Sequence, residues 1–137
     1  MKVLVIDDEM TVRVLLAGLL ADVFEEVIEA SGGRAGVGEV AKACAMGKPF
    51  DLVCLDINMP DLDGHETLRK IRGVEEAFGF LPGRGAARIM MSTATRDPKD
   101  VLNAFREQCD AYLVKPVSGE KLHEQLAGMG FSVEYMC

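Results

Sequence analysis

Four short, largely apolar runs in this chain each stop at residues able to do polar chemistry. Val3–Ile6 gives way to Asp7 and Asp8, Leu52–Leu55 to Asp56, Arg88–Met91 to Ser92 and Thr93, and Ala111–Val114 to Lys115. Such runs are the pattern of strands covered on both faces of a parallel sheet. Sheets of that kind bind their ligands where strands emerge at their carboxyl ends. An acid there often only caps the next helix; three acids, a hydroxyl and an ammonium on one edge match capping poorly. Crowded carboxylates raise one another's pKa unless a cation joins them. An all-oxygen site with few carboxylates suits Mg²⁺. A metal with an adjacent lysine and hydroxyl is the equipment of phosphoryl transfer, in which charge on the equatorial oxygens is neutralised and the nucleophile held in line. Asp56, central in the set, is the candidate nucleophile: an ionised carboxylate can form an aspartyl phosphate and has no proton to lose to a base.

The intervening segments read as the helices that position these ends. From Met10 the apolar residues Val12, Leu15, Leu16, Leu19, Leu20 and Val23 recur at helical spacing. Glu26–Ala30 has the polar flanks of an outer strand, and Ser31-Gly32-Gly33 turns the chain. Gly33 to Met46 is predicted helical, with Ala35, Val37, Val40, Ala41 and Cys44 inward, weakened by Gly36 and Gly38 and stopped by Gly47 and Pro49. After Asp56, Pro60 and Asp63-Gly64 mark a loop before a helix carrying Leu68, Ile71 and Val74. In residues 73–87 the punctuation by Gly73, Gly79, Pro82, Gly83 and Gly85 predicts a helix fraying into a longer loop packed by Phe78, Phe80 and Leu81. Asp97-Pro98 opens another helix, with Val101, Leu102 and Phe105 inward, and Ser118 caps a last one that buries Leu122, Leu126 and Met129. Five strand-helix alternations predict an α/β fold, a five-stranded parallel sheet with helices on both faces.

A chain of 137 residues with 49% hydrophobic content predicts a single domain over 1–137, with about 130–137 as a short added strand or tail. The net charge of -7 argues against direct nucleic-acid binding. The four cysteines (Cys44, Cys54, Cys109 and Cys137) show no CxxC spacing, and His65 and His123 are too few and too far apart for a metal set. No stretch has signal-peptide form or bilayer-spanning length. These features predict a soluble cytoplasmic protein with reduced thiols and no membrane partner.

Taken jointly, Asp7-Asp8, Asp56 with Asn58, Met59-Pro60 and Asp63-Gly64, Thr93-Ala94 and Lys115-Pro116 make the chain resemble the receiver domains of two-component signalling over about residues 2–129. In length it resembles a stand-alone, CheY-like response regulator. The resemblance implies a flavodoxin-like (βα)5 fold with strand order 2-1-3-4-5. It implies that Asp56 accepts a phosphoryl group from a sensor histidine kinase, a phosphotransfer protein or a small phosphodonor. Asp8, the Asp56 carboxylate and the Asn58 backbone carbonyl would ligate Mg²⁺, with Asp7 acting through water. Lys115 would pair with Asp56 and then with the phosphoryl oxygens, next to a cis bond to Pro116. Thr93 would move to bond the phosphoryl oxygen, and Tyr112 would be the aromatic switch that turns inward behind it. The surface of the fourth helix, fifth strand and fifth helix, roughly residues 97–129, would then be read by a protein target, the chain being a monomer or a phosphorylation-dependent dimer. Asn58 and Thr95 stand where the family tunes phosphoryl lifetime. Two rival readings remain: a phosphorelay intermediate serving a histidine phosphotransfer protein, and a hydrolase using Asp56 as nucleophile. A haloacid-dehalogenase-type phosphatase wants a second acid two residues after the nucleophile, and Asn58 stands there.

Overall fold

Each of the apolar runs becomes a strand because helices cover the sheet on both sides. In a computed structural model that describes residues 1–94, 99 and 109–132, β1 (Lys2–Ile6), β2 (Glu26–Ala30), β3 (Leu52–Asp56), β4 (Arg88–Thr93) and β5 (Ala111–Val114) form one sheet. Every pairing is parallel, and the order is β2-β1-β3-β4-β5. The described helices are α1 (Met10–Leu20), α2 (Gly33–Ala45), α3 (Gly64–Ala77) and α4 (Gly119–Gly128). α4 is the helix that the sequence reading places fifth. The helix expected to open at Asp97-Pro98, with Val101, Leu102 and Phe105, lies outside the described residues, as do Thr95 and residues 133–137.

Side chains alternate between two cores, as the pleat requires. Leu4, Ile6, Val53, Leu55, Ile89 and Met91 point to the face that α2 and α3 cover, while Val3, Val5, Leu52, Cys54, Met90 and Leu113 point to the face of α1 and α4. Beyond α4, Phe131 returns to the second face and meets Phe24 edge-on at 5.3 Å between ring centroids. The Cys54 thiol is pushed up to about 12 by burial, so it sits in the core as a small neutral group.

The helices differ from their expected faces in instructive ways. α1 buries Leu16 and Leu20 but leaves Leu15 49% exposed. On α2, Ala35 is exposed while Gly36 and Ala43 are buried. Gly36 lies directly on the Ile6 side chain, where any Cβ would collide with it. The glycine that looked like a helix weakness is therefore what lets α2 approach β1.

α3 also continues through Gly73 to Ala77, further than the glycines predict. Glu75 supplies the reason. Its carboxylate is 1% exposed, accepts the Ala87 N–H at 2.6 Å and pairs with Arg72 Nη1 at 2.8 Å. Arg72 also donates to the Ala87 carbonyl at 2.7 Å and reaches Asp110 Oδ2 at 3.4 Å, which in turn accepts the Ile89 N–H at 2.7 Å. This network at the amino edge of the sheet ties the end of α3 to the entries of β4 and β5. The turn that it closes packs less on itself than expected: Phe80 joins the α2/α3 core, but Phe78 and Leu81 are 48% and 44% exposed.

Removing Glu75 leaves the Ala87 N–H without its acceptor and takes from the Arg72 guanidinium the nearer of its two carboxylates, in a largely dehydrated setting. Glu75→Ala is expected to cost about 3 kcal/mol, read as a lower urea midpoint at unchanged slope. Glu75→Gln, which still accepts from Ala87, loses less.

Candidate functional site

Sheet register assembles the site. Ile6 of β1 is level with Leu55 of β3, so the following residues, Asp7 and Asp56, emerge side by side. Asp56 is level with Ser92 of β4, and Thr93 with Val114 of β5, which brings Lys115 out as the next residue on the far side. The Lys115 N–H donates to the Thr93 carbonyl at 2.7 Å and the Ile57 N–H to the Ser92 carbonyl at 2.9 Å, extending the ladder past the strand ends.

The acids after β1 are not spent on capping. α1 has Glu9 at its N-cap position with no side-chain cap bond. Asp7 Oδ1 instead accepts the Glu9 N–H at 2.9 Å and turns the chain, leaving the Asp8 side chain exposed at the rim. Asp7 and Asp56 are 0% and 2% exposed. Lys115 Nζ lies between them, 3.3 Å from Asp7 Oδ2 and 3.4 Å from Asp56 Oδ1. Burial first, and then the Asp7 charge, push the Asp56 carboxyl up to about 6, against the opposing pull of Lys115 and the Asn58 N–H. Burial by itself would lower Lys115, but Asp56 and Asp7 together hold it above its ordinary value. The Asn58 N–H stands 3.4 Å from Asp56 Oδ1.

Carboxylate oxygens of Asp7, Asp8 and Asp56 can all lie within 4.8 Å of one another. One lysine against three acids leaves the cluster net negative, and burial keeps one acid reluctant to ionise. A hard divalent cation with oxygen preference answers both conditions, so the residues present fit Mg²⁺. Thr93 is fully buried at the end of β4, beside the cluster. Tyr112, level with Met91, is half-buried against the α2/α3 core. The Lys115-Pro116 bond is cis, as the resemblance implies.

Two supporting residues escape a reading of strand ends. Arg13, on α1, donates to the Asp7 carbonyl at 2.8 Å and pairs with Glu29 of β2 at 3.2 Å, fixing the loop that carries Asp8. Its one local signal is a basic residue a turn and a half after the acids. Asp61, in the loop after β3, accepts the Gly33 and Arg34 N–H groups at the start of α2, at 3.2 and 3.1 Å. Those bonds hold its carboxyl below the ordinary value, the Arg34 contribution being the largest.

Comparison with known proteins concerns the chain as a whole. The response regulator receiver domain family model matches residues 3–127. The chain is 32% identical to chemotaxis protein CheY-3 of Vibrio cholerae, over 92% of this chain and 88% of that one. The crystal structure of chemotaxis protein CheY4 of V. cholerae superposes with a TM-score of 0.75 at 28% identity, covering 92% and 95% of the two chains. The receiver domain of the Arabidopsis thaliana histidine kinase CKI1, crystallised with Mg²⁺, gives a TM-score of 0.75 at 25% identity over 93% and 88%. Among the described residues no helix is long and apolar enough to cross a membrane.

The upward shift of Asp56 carries a stability consequence. Its folded-state value, about 6, lies above the ordinary carboxylate value of 3.8, so the charged form is penalised in the fold. That penalty is complete above pH 6 and disappears as pH falls through 6 towards 4. In EDTA at pH 7.5, Asp56→Asn is expected to be more stable than the parent by on the order of 2 kcal/mol. The gap should close towards pH 4, measured by urea unfolding of both proteins across pH.

Proposed function

The chain belongs to the response regulator receiver domain family, and from that premise we propose that it is a phosphorylation-activated switch whose phosphoacceptor is Asp56. Receiver domains of this type work with histidine kinases in two-component signalling and act as switches rather than as conventional enzymes. The observation that carries the proposal is Lys115 set between the buried Asp7 and Asp56 carboxylates, with Asp8 exposed beside them.

In the proposed reaction an Asp56 carboxylate oxygen attacks the phosphorus of a phosphohistidine or of a small donor such as acetyl phosphate. The new bond is O–P; the P–N or P–O bond to the donor breaks, and its electron pair leaves with the imidazole or the acetate. Asp8, Asp56 and the Asn58 carbonyl would hold Mg²⁺, with Asp7 acting through water. When bound, the ion supplies neutralisation of the charge on the phosphoryl oxygens. Lys115, already paired with Asp56, follows the negative charge onto the phosphoryl group. The Thr93 hydroxyl donates to a phosphoryl oxygen, and Tyr112 moves further into the space this opens.

Residues 1–137 are read as one receiver unit working in the cytoplasm. Its surface over residues 97–129 is the face offered to a protein target, as a monomer or a phosphorylation-dependent dimer. The population of the active arrangement changes because the added charge and acceptor oxygens favour it. The kinship with a histidine kinase's receiver domain supports a second use, passing the phosphoryl group on to a histidine phosphotransfer protein.

Incubation with Mg²⁺ and acetyl phosphate or phosphoramidate, followed by intact mass, is expected to give one phosphoryl adduct that EDTA prevents and Asp56→Asn lacks. An adduct that persists in Asp56→Asn removes the assignment. A lifetime of minutes or longer favours the target-binding switch over the relay.

A further inference from the structure

We propose that Asp61 is a positioning residue for the site: by capping α2 it holds the loop from which the Asn58 carbonyl is presented. The inference rests on the reading of Asn58 as a Mg²⁺ ligand and adds a residue three positions away that touches neither ion nor phosphoryl group.

The loop between Asp56 and α3 is tied down at its base, along its length and at its tip. At the base, the Gly64 N–H donates to the Ile57 carbonyl at 2.8 Å, and a Cβ on Gly64 would lie 2.6 Å from Ile57 Cα, so the two ends of the loop meet at van der Waals range. Along its length, Met59 and Leu62 are each 7% exposed and act as apolar anchors. Between these two, Asp61 turns outward, and both its carboxylate oxygens accept from the first turn of another helix. The N-terminal N–H groups of a helix have no partners within the helix, and Gly32, at the N-cap position of α2, has no side chain to offer them. Asp61 takes that role from 27 and 28 residues away.

The small residues opposite belong to the same device. A Cβ on Gly32 would stand 2.9 Å from Asp61 Oδ2, and one on Gly33 would collide with Thr67. Gly32 has φ -171, extended backbone open to any residue, so the space taken by Asp61 is what a side chain there would contest. Met59 and Leu62 bury apolar area but set no direction, whereas two N–H groups on a rigid helix fix both the position and the rotation of the loop at Asp61. Asn58 precedes Met59 in the same loop, three residues from Asp61. Losing a direct outer partner of a metal ligand characteristically changes affinity by roughly 10-fold or more; Asp61 bonds no ligand itself and acts through the loop, so its effect is smaller.

The test uses the whole chain and three variants, Asp61→Ala, Asp61→Asn and Gly32→Ala, with Gly32→Ala also made in the Asp61→Ala background. Mg²⁺ affinity is read by titration, phosphorylation rate with phosphoramidate, and amide hydrogen exchange of Gly33, Arg34 and Asn58 in EDTA. Asp61→Ala is expected to weaken Mg²⁺ binding by a few-fold, less than the roughly 10-fold that follows loss of a direct outer partner, to slow phosphorylation and to speed exchange at all three amides. Asp61→Asn, which keeps one acceptor oxygen, falls between it and the parent. Gly32→Ala should weaken Mg²⁺ binding alone but add nothing to Asp61→Ala, because the contested space is then empty. If Asp61→Ala speeds exchange only at Gly33 and Arg34 and keeps parental Mg²⁺ affinity, Asp61 is a helix cap and the coupling is overturned. If the parent itself neither binds Mg²⁺ nor forms an adduct, the reading of Asn58 and Asp56 fails first and the positioning role falls with it.

Discussion

One ammonium held between two buried carboxylates is the constraint on which the rest of this structure depends. Lys115 offsets part of the cost of burying Asp56 and of placing it beside Asp7 but not all of it, which is why Asp56 remains hard to ionise. The three groups come from three different strands, so their spacing is set by ladder register and not by side-chain flexibility. Shifting β3 by one residue would move Asp56 to the other face and out of reach of both partners. The apolar cores on either side of the sheet are what make that shift costly, and the chemistry of the edge is in this sense a property of the whole sheet.

Much of this was legible because the decisive pattern is local. A run such as Leu52–Leu55 stopping at an acid declares both a buried strand and the end at which it opens, and four such runs declare a shared edge. The strand order and the roles of Thr93 and Tyr112 came with family resemblance, since nothing in the spacing of these residues says which strands are neighbours. What stayed hidden depends on partners distant in the chain. Gly36 reads as a weak point in a helix until Ile6 is placed beneath it. Gly73 reads as the start of fraying in α3 until Glu75 is given the Ala87 N–H, twelve residues on. Asp61 reads as a loop acid, because the helix that it caps lies behind it in sequence.

The two edges of the sheet solve opposite problems with similar residues. At the carboxyl edge the acids outnumber the cation, and the imbalance leaves room for a ligand. At the amino edge Arg72 faces Glu75 and Asp110, so the excess is a single carboxylate, and each carboxylate also accepts a backbone N–H. Buried hydrogen-bond networks of this kind rigidify. The larger electrostatic imbalance thus lies at the edge where something must bind.

That closure has an evolutionary meaning for the segment it seals. Because Glu75 and Arg72 grip Ala87 from the end of α3, the geometry with which the chain leaves one element and enters the next no longer depends on what lies between. Apart from Phe80, which packs into the α2/α3 core, residues 78–86 have room to vary in length and decoration while the distant carboxylates keep their spacing.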